Sequence, residues 1–145
     1  MLTAQEEEKD NGCIVNTAVQ VASDPTRIAV SVQMGNRTRE MIEKTGKFNV
    51  SVLTENVPFE VIRHFGMQSG RDVDKFDGFT SAARSNNGLC YLTEHTNAMF
   101  SCEVMEKKDL GSHMMFIGQV TESKVLGRDA SCTYAYYHKA IKPKF

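Results

Sequence analysis

Apolar and polar residues alternate over several short stretches of this chain, which is the spacing of β-strands that bury one face. The alternation is clearest over residues 27–33, where Ile28, Val30 and Val32 fall on a single predicted face. The β-branched stretch 13–22 precedes it, and a Ser-Asp-Pro turn signal between the two predicts an antiparallel pair. Further strands are predicted over residues 1–4 (the tail of a strand), 48–53, 98–106, 113–122 and 133–137.

Two short helices are predicted between the strands. Residues 38–45 have helical composition, and Gly46 directly after them is a candidate C-cap. Residues 58–67 form a second candidate helix, because Pro58 suits a first helical turn. The polar stretch 68–87 is interpreted as an irregular, partly exposed loop. Many short strands with only two short helices predict a mainly β domain, either a barrel or a sandwich.

The composition is that of one folded domain: 145 residues, of which 41% are hydrophobic and 24% are charged, with a net charge of -1. This balance offers no positive surface for nucleic acid or an anionic membrane, so neither is predicted as a partner. No apolar run approaches the ~20 residues of a membrane-spanning helix. The acidic N-terminus lacks the basic and apolar regions of a signal peptide. We therefore predict a cytoplasmic protein.

The cysteines and the missing catalytic motifs exclude several classes of site. Cys13, Cys90, Cys102 and Cys132 lack the usual zinc or iron–sulfur spacing, so no metal site is predicted and free, mostly buried thiols are expected. The sequence contains no Walker A loop, no Rossmann fingerprint, no nucleophile elbow and no HExxH pair. Any redox chemistry would therefore come from a bound cofactor.

Small polar residues mark two adjoining strands and the helix start that follows them. Asn16, Thr17 and Gln20 lie on the first predicted strand, and Ser31 and Gln33 lie on the second. The second strand leads into an Asn-Arg-Thr sequence, where free backbone N–H groups and the positive end of a helix dipole favour an anion. A guanidinium and a hydroxyl beside them suit a phosphate monoester. The alternative is an ordinary N-cap with an exposed arginine.

Two histidines have both a functional and a structural interpretation. His64 opens a segment with Gly, Ser and Arg that could cover a ligand, or it could cap the end of a helix. His113 opens an apolar strand, where it could contact a cofactor or lie at the surface. An aromatic cluster near the C-terminus could line a pocket or a dimer seam, and could equally consist of core and surface residues; it contains Tyr134, Tyr136, Tyr137 and His138.

Six segments, taken in order, resemble the flavin reductase-like family of FMN-binding split barrels. They are similar above all to the flavin domain of high-molecular-weight rubredoxins and to flavoredoxin-like proteins. Each segment is weak alone, but six in sequence cover nearly the whole chain from Asp10. They are DNGCIVNTAVQVASDPTRIAVSVQMGNRT, TGKFNVSVL, FEVIRHFGMQSGRDVDKF, NGLCYL, LGSHMMFIGQVTESKVL and TYAYYHKAIKPK.

The resemblance implies a split β-barrel that forms a homodimer, with FMN near the interface and NADH or NADPH as electron donor. Electrons would pass to free flavin, a rubredoxin or another redox partner. The catalytic residue implied near the flavin or the nicotinamide is His113. The implied cofactor contacts are Asn16, Thr17, Ala18, Val19 and Gln20 along the ring edge, Ser31, Val32 and Gln33 beside the ribityl chain, Asn36, Arg37 and Thr38 at the phosphate, and His64 over the pocket.

Two departures from the family keep other hypotheses open. Family members usually have a further helix and strand before the position of Met1, so we expect residues 1–145 to be one domain that lacks them. High-molecular-weight rubredoxins also continue past IKPK into an iron-binding domain. An NAD(P)H-dependent flavin reductase is the leading hypothesis. The alternatives are an FMN electron carrier without catalysis and a degenerate barrel without flavin.

Overall fold

A computed structural model describes residues 1–144, and it is built mainly from antiparallel strands. Three short helices and one π-helical segment at Tyr137–Ile141 accompany them. The strands are β1 (Leu2–Glu6), β2 (Lys9–Cys13), β3 (Ala18–Ser23), β4 (Thr26–Gln33), β5 (Lys47–Leu53), β6 (Ala82–Arg84), β7 (Cys90–Leu92), β8 (Thr96–Asp109) and β9 (His113–Val125). The helices are α1 (Arg37–Thr45), α2 (Phe59–Gly66) and α3 (Tyr134–Tyr136).

Seven strands form one sheet in the order β2-β1-β5-β8-β9-β4-β3, and β6 pairs with β7 in a separate hairpin. Side chains from strands that are far apart in this order share one core, which shows that the large sheet is curled. Leu2 of β1, Val30 of β4 and Phe48 of β5 are fully buried in it, together with Phe116 of β9. The sheet therefore wraps around its own apolar face in the manner of a barrel.

The hairpin of β8 and β9 lies in the middle of the large sheet. Leu110 N donates to His113 O at 2.9 Å, and Gly111 has φ +93°, which a glycine adopts without strain. Further along β9, the backbone of Gly118 passes so close to Phe48 that an added Cβ would lie 2.7 Å from the ring. Packing at this point leaves no room for a side chain.

Helix α1 ends where the sequence predicts and begins one residue earlier, at Arg37. Asn36 is the N-cap, and its side-chain oxygen accepts a hydrogen bond from Thr38 N at 2.9 Å. Gly46 is the C-cap with φ 72°, and its N–H donates to Ile42 O at 2.8 Å. Met41 and Ile42 are buried, so the helix covers one side of the core.

A second apolar cluster lies under α2 and the loop that follows it. Phe65 is fully buried, and its ring meets Phe76 at 5.3 Å and Phe79 at 5.1 Å between centroids. These contacts let the polar loop cross the surface in a fixed course although it has little regular structure. Most of the stretch 68–87 is irregular, as predicted, but Ala82–Arg84 forms the short strand β6.

The single strand predicted over residues 13–22 is wrong. Strand β2 ends at Cys13, β3 begins at Ala18, and the two strands lie at opposite edges of the sheet. The chain must cross between these edges, so it cannot stay in one ladder. The β-branched composition predicted the extended backbone but carried no information about the pairing partner.

Two predictions at the chain ends also need correction. The predicted strand tail at residues 1–4 is part of a full hairpin, in which β1 pairs with the polar strand β2. The strand predicted over 133–137 is helical instead, because Thr133 caps it: its Oγ1 accepts from Tyr136 N at 3.0 Å. Local capping chemistry outweighed the aromatic, strand-like composition there. Among residues 1–144, no helix is long and apolar enough to cross a bilayer.

Replacing Gly118 by alanine tests the close packing between β9 and the core. We expect Gly118→Ala to lower the free energy of unfolding by about 1–3 kcal/mol, because the new methyl group overlaps the Phe48 ring and Cys102 Cβ. Chemical denaturation followed by circular dichroism measures the change. Gly35→Ala is the matched control, since nothing lies within 4 Å of its added Cβ. Equal stability of both variants would contradict the packing argument.

Candidate functional site

A cleft of about 800 Å³ opens where the ends of several strands meet. One wall comes from the segment after β2, the start of β3 and the end of β4. The opposite wall comes from the end of β5 and the segment before the π-helical turn, and α2 contributes the floor. The lining residues are Met1, Cys13, Ile14, Val15, Asn16, Ala18, Ser31, Val32, Gln33, Asn36, Val50, Ser51, Val52, Leu53, Ile62, Gly66, Met67, His113, Ser131, Cys132, Thr133, Tyr134 and Tyr137.

The crossing segment 14–17 presents unpaired backbone to this cleft. Its residues form no backbone–backbone hydrogen bond with any other residue from 1 to 144. Ile14 and Val15 are half-buried, and Asn16 and Thr17 are exposed. The peptide groups of this segment are therefore open to solvent or to a ligand with its own donors and acceptors. Asn16 adds a side-chain amide, which already accepts from Thr17 Oγ1 at 3.1 Å.

Only one residue of the predicted phosphate triad, Asn36, lines the cleft. The Arg37 guanidinium turns to carboxylates instead, at 2.8 Å from Glu6 and 3.3 Å from Glu40. Thr38 is fully buried, and its Oγ1 accepts from Asn11 Nδ2 at 3.0 Å. The helix start therefore reaches the cleft through Asn36, whereas the two side chains that follow have partners elsewhere.

His113 and Gln33 stand side by side at the cleft. They are register partners where β4 pairs with β9, and both line it. His113 is half-buried, and its Nδ1 lies 2.8 Å from Ser112 Oγ. An imidazole fixed by one ring nitrogen keeps the other available to a ligand.

His64 lies outside the lining of the cleft. Its Nε2 is 2.6 Å from Lys75 O, and Gln68 Nε2 donates to its backbone oxygen at 2.8 Å. Its ring meets Phe65 edge-on at 4.8 Å between centroids. These contacts join α2 to the following loop, which is the helix-end role that the sequence left open. The predicted flavin contact of His64 stays a prediction.

The structure brings seven of the predicted site residues together around the cleft. They come from four separate elements or their ends, as the resemblance implied. The seven are Asn16, Ala18, Ser31, Val32, Gln33, Asn36 and His113, whereas Thr17, Val19, Gln20, Arg37, Thr38 and His64 are not in the lining.

The wall formed by residues 131–137 was not among the predicted site residues. Cys132 N donates to Leu53 O at 2.7 Å, which fixes this wall to β5. Tyr134 is 58% exposed at the cleft, and its ring lies 4.4 Å from that of His138 between centroids. The backbone N–H of Lys142 donates to the backbone carbonyl oxygen of Tyr137 at 2.8 Å and closes the π-helical turn. The cluster of tyrosines was the available sequence signal, since an aromatic pocket was one of its interpretations.

The two cleft cysteines are poor nucleophiles. Burial raises the pKa of the Cys13 thiol, and burial also raises the pKa of Cys132. Both therefore stay protonated thiols near neutral pH, and thiolate chemistry at the cleft is disfavoured. Within residues 1–144, no cluster of three or more His, Cys, Asp or Glu side chains is arranged to hold a metal ion.

A network of ion pairs fixes the start of α1 to the loop after α2. Arg71 Nη1 donates to Glu40 Oε2 at 2.9 Å, and the same carboxylate contacts Arg37 and Arg39. The hydrogen bond from Arg71 lowers the pKa of Glu40 to about 2. The carboxylate thus stays charged over the whole neutral and mildly acidic range.

The comparisons with known proteins now identify the family. The profile of the flavin reductase like domain matches residues 1–143. The chain belongs to the flavin reductase-like family. The prediction of a flavin reductase-type oxidoreductase is confirmed at the level of this family, and so is the mainly β split-barrel fold.

Three similar proteins illustrate the relationship. A high molecular weight rubredoxin of Moorella thermoacetica is 42% identical over 139 residues, which are 96% of this chain and 60% of that protein. A ferric-chelate reductase (NAD(P)H) of Archaeoglobus fulgidus is 33% identical over 144 residues, 99% of this chain and 85% of that protein. An FMN-binding protein from Thermus thermophilus with bound 1-cyclohex-2-enone has a TM-score of 0.77 at 25% identity, covering 86% of this chain and 67% of that one.

Low pH should weaken the ion pair between Glu40 of α1 and Arg71 of the loop after α2. A carboxyl with a depressed folded-state pKa stabilises the fold above its unfolded pKa of about 4.5, and this contribution is lost as the pH falls toward about 2. We therefore expect Glu40→Gln to lose less stability than the wild type between pH 5 and pH 2. Thermal melts across this range measure the difference.

The control for this experiment is Glu60→Gln. Glu60 pairs with Arg63 on an exposed helix face, where solvent screens the interaction. Its melting curves should follow those of the wild type. If the Glu40→Gln and wild-type proteins lose stability in parallel, the Arg71 contact does not stabilise the fold.

Proposed function

We propose that this chain binds FMN in the cleft and catalyses its reduction by NADH or NADPH. The observation that carries the proposal is the convergence of seven predicted contact residues on one cleft from four separate parts of the chain. The proposal is supported by relatives that are named as flavin reductase, NADH-dependent flavin reductase and NAD(P)H ferric-chelate reductase. The T. thermophilus neighbour, named as an FMN-binding protein, supports FMN as the flavin.

The residues present fit this cofactor. A flavin ring has a polar, hydrogen-bonding edge and an apolar edge, and the cleft offers both kinds of surface. The unpaired backbone of 14–17 suits the polar edge, while Val50, Leu53 and Ile62 suit the apolar one. Asn36, which lines the cleft at the positive end of the α1 dipole, suits the phosphate. A volume of about 800 Å³ lies within the range of ligand-binding clefts.

The protein residues would supply binding and orientation. Bound FMN would supply the two-electron redox chemistry that links a nicotinamide donor to an acceptor. The ribityl chain of the cofactor would lie along β4, in contact with Ser31, Val32 and Gln33. His113 would orient the ring or the nicotinamide through a hydrogen bond from the end of β9. Tyr134 and Tyr137 on the facing wall would limit the access of water.

The electron acceptor is proposed as free flavin or a partner protein such as a rubredoxin. The relative from M. thermoacetica is named a rubredoxin, and the one from A. fulgidus a ferric-chelate reductase. This chain spans 60% of the first of these proteins. A non-catalytic FMN carrier and a barrel without flavin are the competing hypotheses.

We also propose a homodimer that covers the outer edge of β3. This strand ends the large sheet and has no neighbour on its outer side within residues 1–144. Val19 and Val21 on it are 54% and 52% exposed. Apolar side chains on an open strand edge favour association. Since Ala18 of the same strand lines the cleft, a second copy would lie beside the cofactor site.

A titration with FMN tests the site. We expect the wild-type protein to quench FMN fluorescence on binding, and the bound flavin to bleach when NADH or NADPH is added without oxygen. Ala18→Trp should weaken FMN binding by at least about tenfold, roughly 1.4 kcal/mol, because the indole fills part of the cleft. Ala22→Trp on the same strand is the control, since Ala22 lies outside the lining.

The outcomes of the titration separate the hypotheses. Binding with bleaching supports the reductase, and His113→Ala should then slow bleaching while FMN affinity stays within about threefold. Binding without bleaching supports the electron carrier. No binding by the wild type would exclude both and leave the degenerate barrel.

Charged substitutions on β3 test the proposed dimer. We expect Val19→Lys/Val21→Lys to shift the wild-type dimer to a monomer in size-exclusion chromatography with light scattering. The cause is the cost of burying two ammonium groups in the interface. Leu110→Lys at the β8–β9 turn is the control, because Leu110 is similarly exposed (51%) but lies away from β3. A monomeric wild type would refute the homodimer.

A further inference from the structure

Lys75 is a buried cation without an anionic partner. Its exposed fraction is 2%, and its Nζ donates to Gly12 O at 2.9 Å and to Phe65 O at 2.8 Å. Every ion pair in residues 1–144 involves other side chains, so no carboxylate lies within 4.0 Å of this ammonium. The two carbonyl dipoles therefore carry its stabilisation alone.

A buried charge of this kind is costly, and an apolar residue would fill the same space at lower cost. Burial also lowers the pKa of Lys75, which shows that its surroundings disfavour the charge. The two hydrogen bonds to carbonyls explain how the side chain is held. They do not explain why a cation is used, because neutral donors can bind carbonyls as well.

The ammonium lies directly behind the cleft. Its acceptors belong to the residues that immediately precede Cys13 and Gly66, and both of these line the cleft. Cys13 ends β2 and Gly66 ends α2, so Lys75 joins two elements whose last residues line the cleft. Its backbone oxygen meanwhile contacts His64 Nε2. The charge is thus fixed in position relative to any ligand in the cleft.

We propose that Lys75 is a positioning residue whose uncompensated charge stabilises the reduced form of the bound flavin. This inference rests on the proposed FMN site. A flavin ring that gains two electrons and one proton carries one negative charge more than the oxidised ring. A fixed positive charge behind the cleft, in surroundings of low dielectric constant, favours that extra negative charge. Lys75 would therefore raise the reduction potential of the cofactor without touching it.

Neutralising Lys75 tests this role in the FMN-loaded protein. We expect Lys75→Gln to weaken binding of reduced FMN about tenfold more than binding of oxidised FMN. For a two-electron couple, a tenfold change corresponds to a potential lowered by about 30 mV. The potential is measured by equilibration with a reference dye without oxygen, and affinity for oxidised FMN by fluorescence. Lys75→Arg, which keeps the charge, should restore most of the difference.

A matched control excludes a general effect of net charge. Lys9→Gln removes one positive charge from the exposed start of β2, three residues from Gly12, and should leave the potential at the wild-type value. A purely structural role of Lys75 predicts weaker binding of both redox forms by the same factor. That result, an unchanged potential in Lys75→Gln, would overturn the proposal.

Lys75→Met supplies a second test if Lys75→Gln does not fold, because its unbranched apolar side chain can occupy the buried space of the lysine stem without the charge. A reduction potential equal to that of the wild type in this variant would overturn the inference on Lys75 and leave the FMN site intact. Failure of the wild type to bind FMN would instead overturn the proposed function, and the inference with it.

Discussion

The crossing of residues 14–17 from one edge of the sheet to the other is the constraint on which the cleft depends. Strands β2 and β3 are close in sequence, but one pairs with β1 and the other with β4 at the far edge. The connecting peptide groups consequently have no ladder to join. A backbone left without partners is costly unless a ligand or water binds it. The same topological requirement that ends β2 therefore produces a surface suited to a polar ligand.

The curl of the sheet makes this crossing short. Phe48, Val30 and Phe116 share one core although their strands are separated in the sheet, and Gly118 allows the closest approach. The ends of β4 and β5 then face each other across the cleft. Packing in the barrel core thus sets the width of the site, even though most core residues never reach it.

Charge around the cleft is arranged differently on its two sides. At the start of α1, each arginine is paired with a carboxylate, so Arg37 and Arg71 hold the helix to its neighbours. Behind the floor, Lys75 is held only by carbonyl oxygens. Paired charges on a partly exposed surface contribute little field at a distance, whereas an unpaired buried charge acts over several ångströms. Of these three side chains, Lys75 is therefore the one whose charge no carboxylate offsets.

The sequence by itself predicted the parts of this protein that depend on local chemistry. The pattern of apolar and polar residues predicted β4, β5, β8 and β9, and Gly46 predicted the end of α1, because both signals act within a few residues. The ordered family segments predicted the split barrel and most of the cleft lining on β4.

Only the tertiary structure decided the remaining features. The break at 14–17, the pairing of Arg37 with Glu6 and the burial of Thr38 each depend on residues distant in sequence. The environment of Lys75 belongs to the same group, since a lysine in a polar loop is exposed by any local criterion. Its burial follows from Gly12 and Phe65 meeting in space, and no pattern along the chain encodes that meeting.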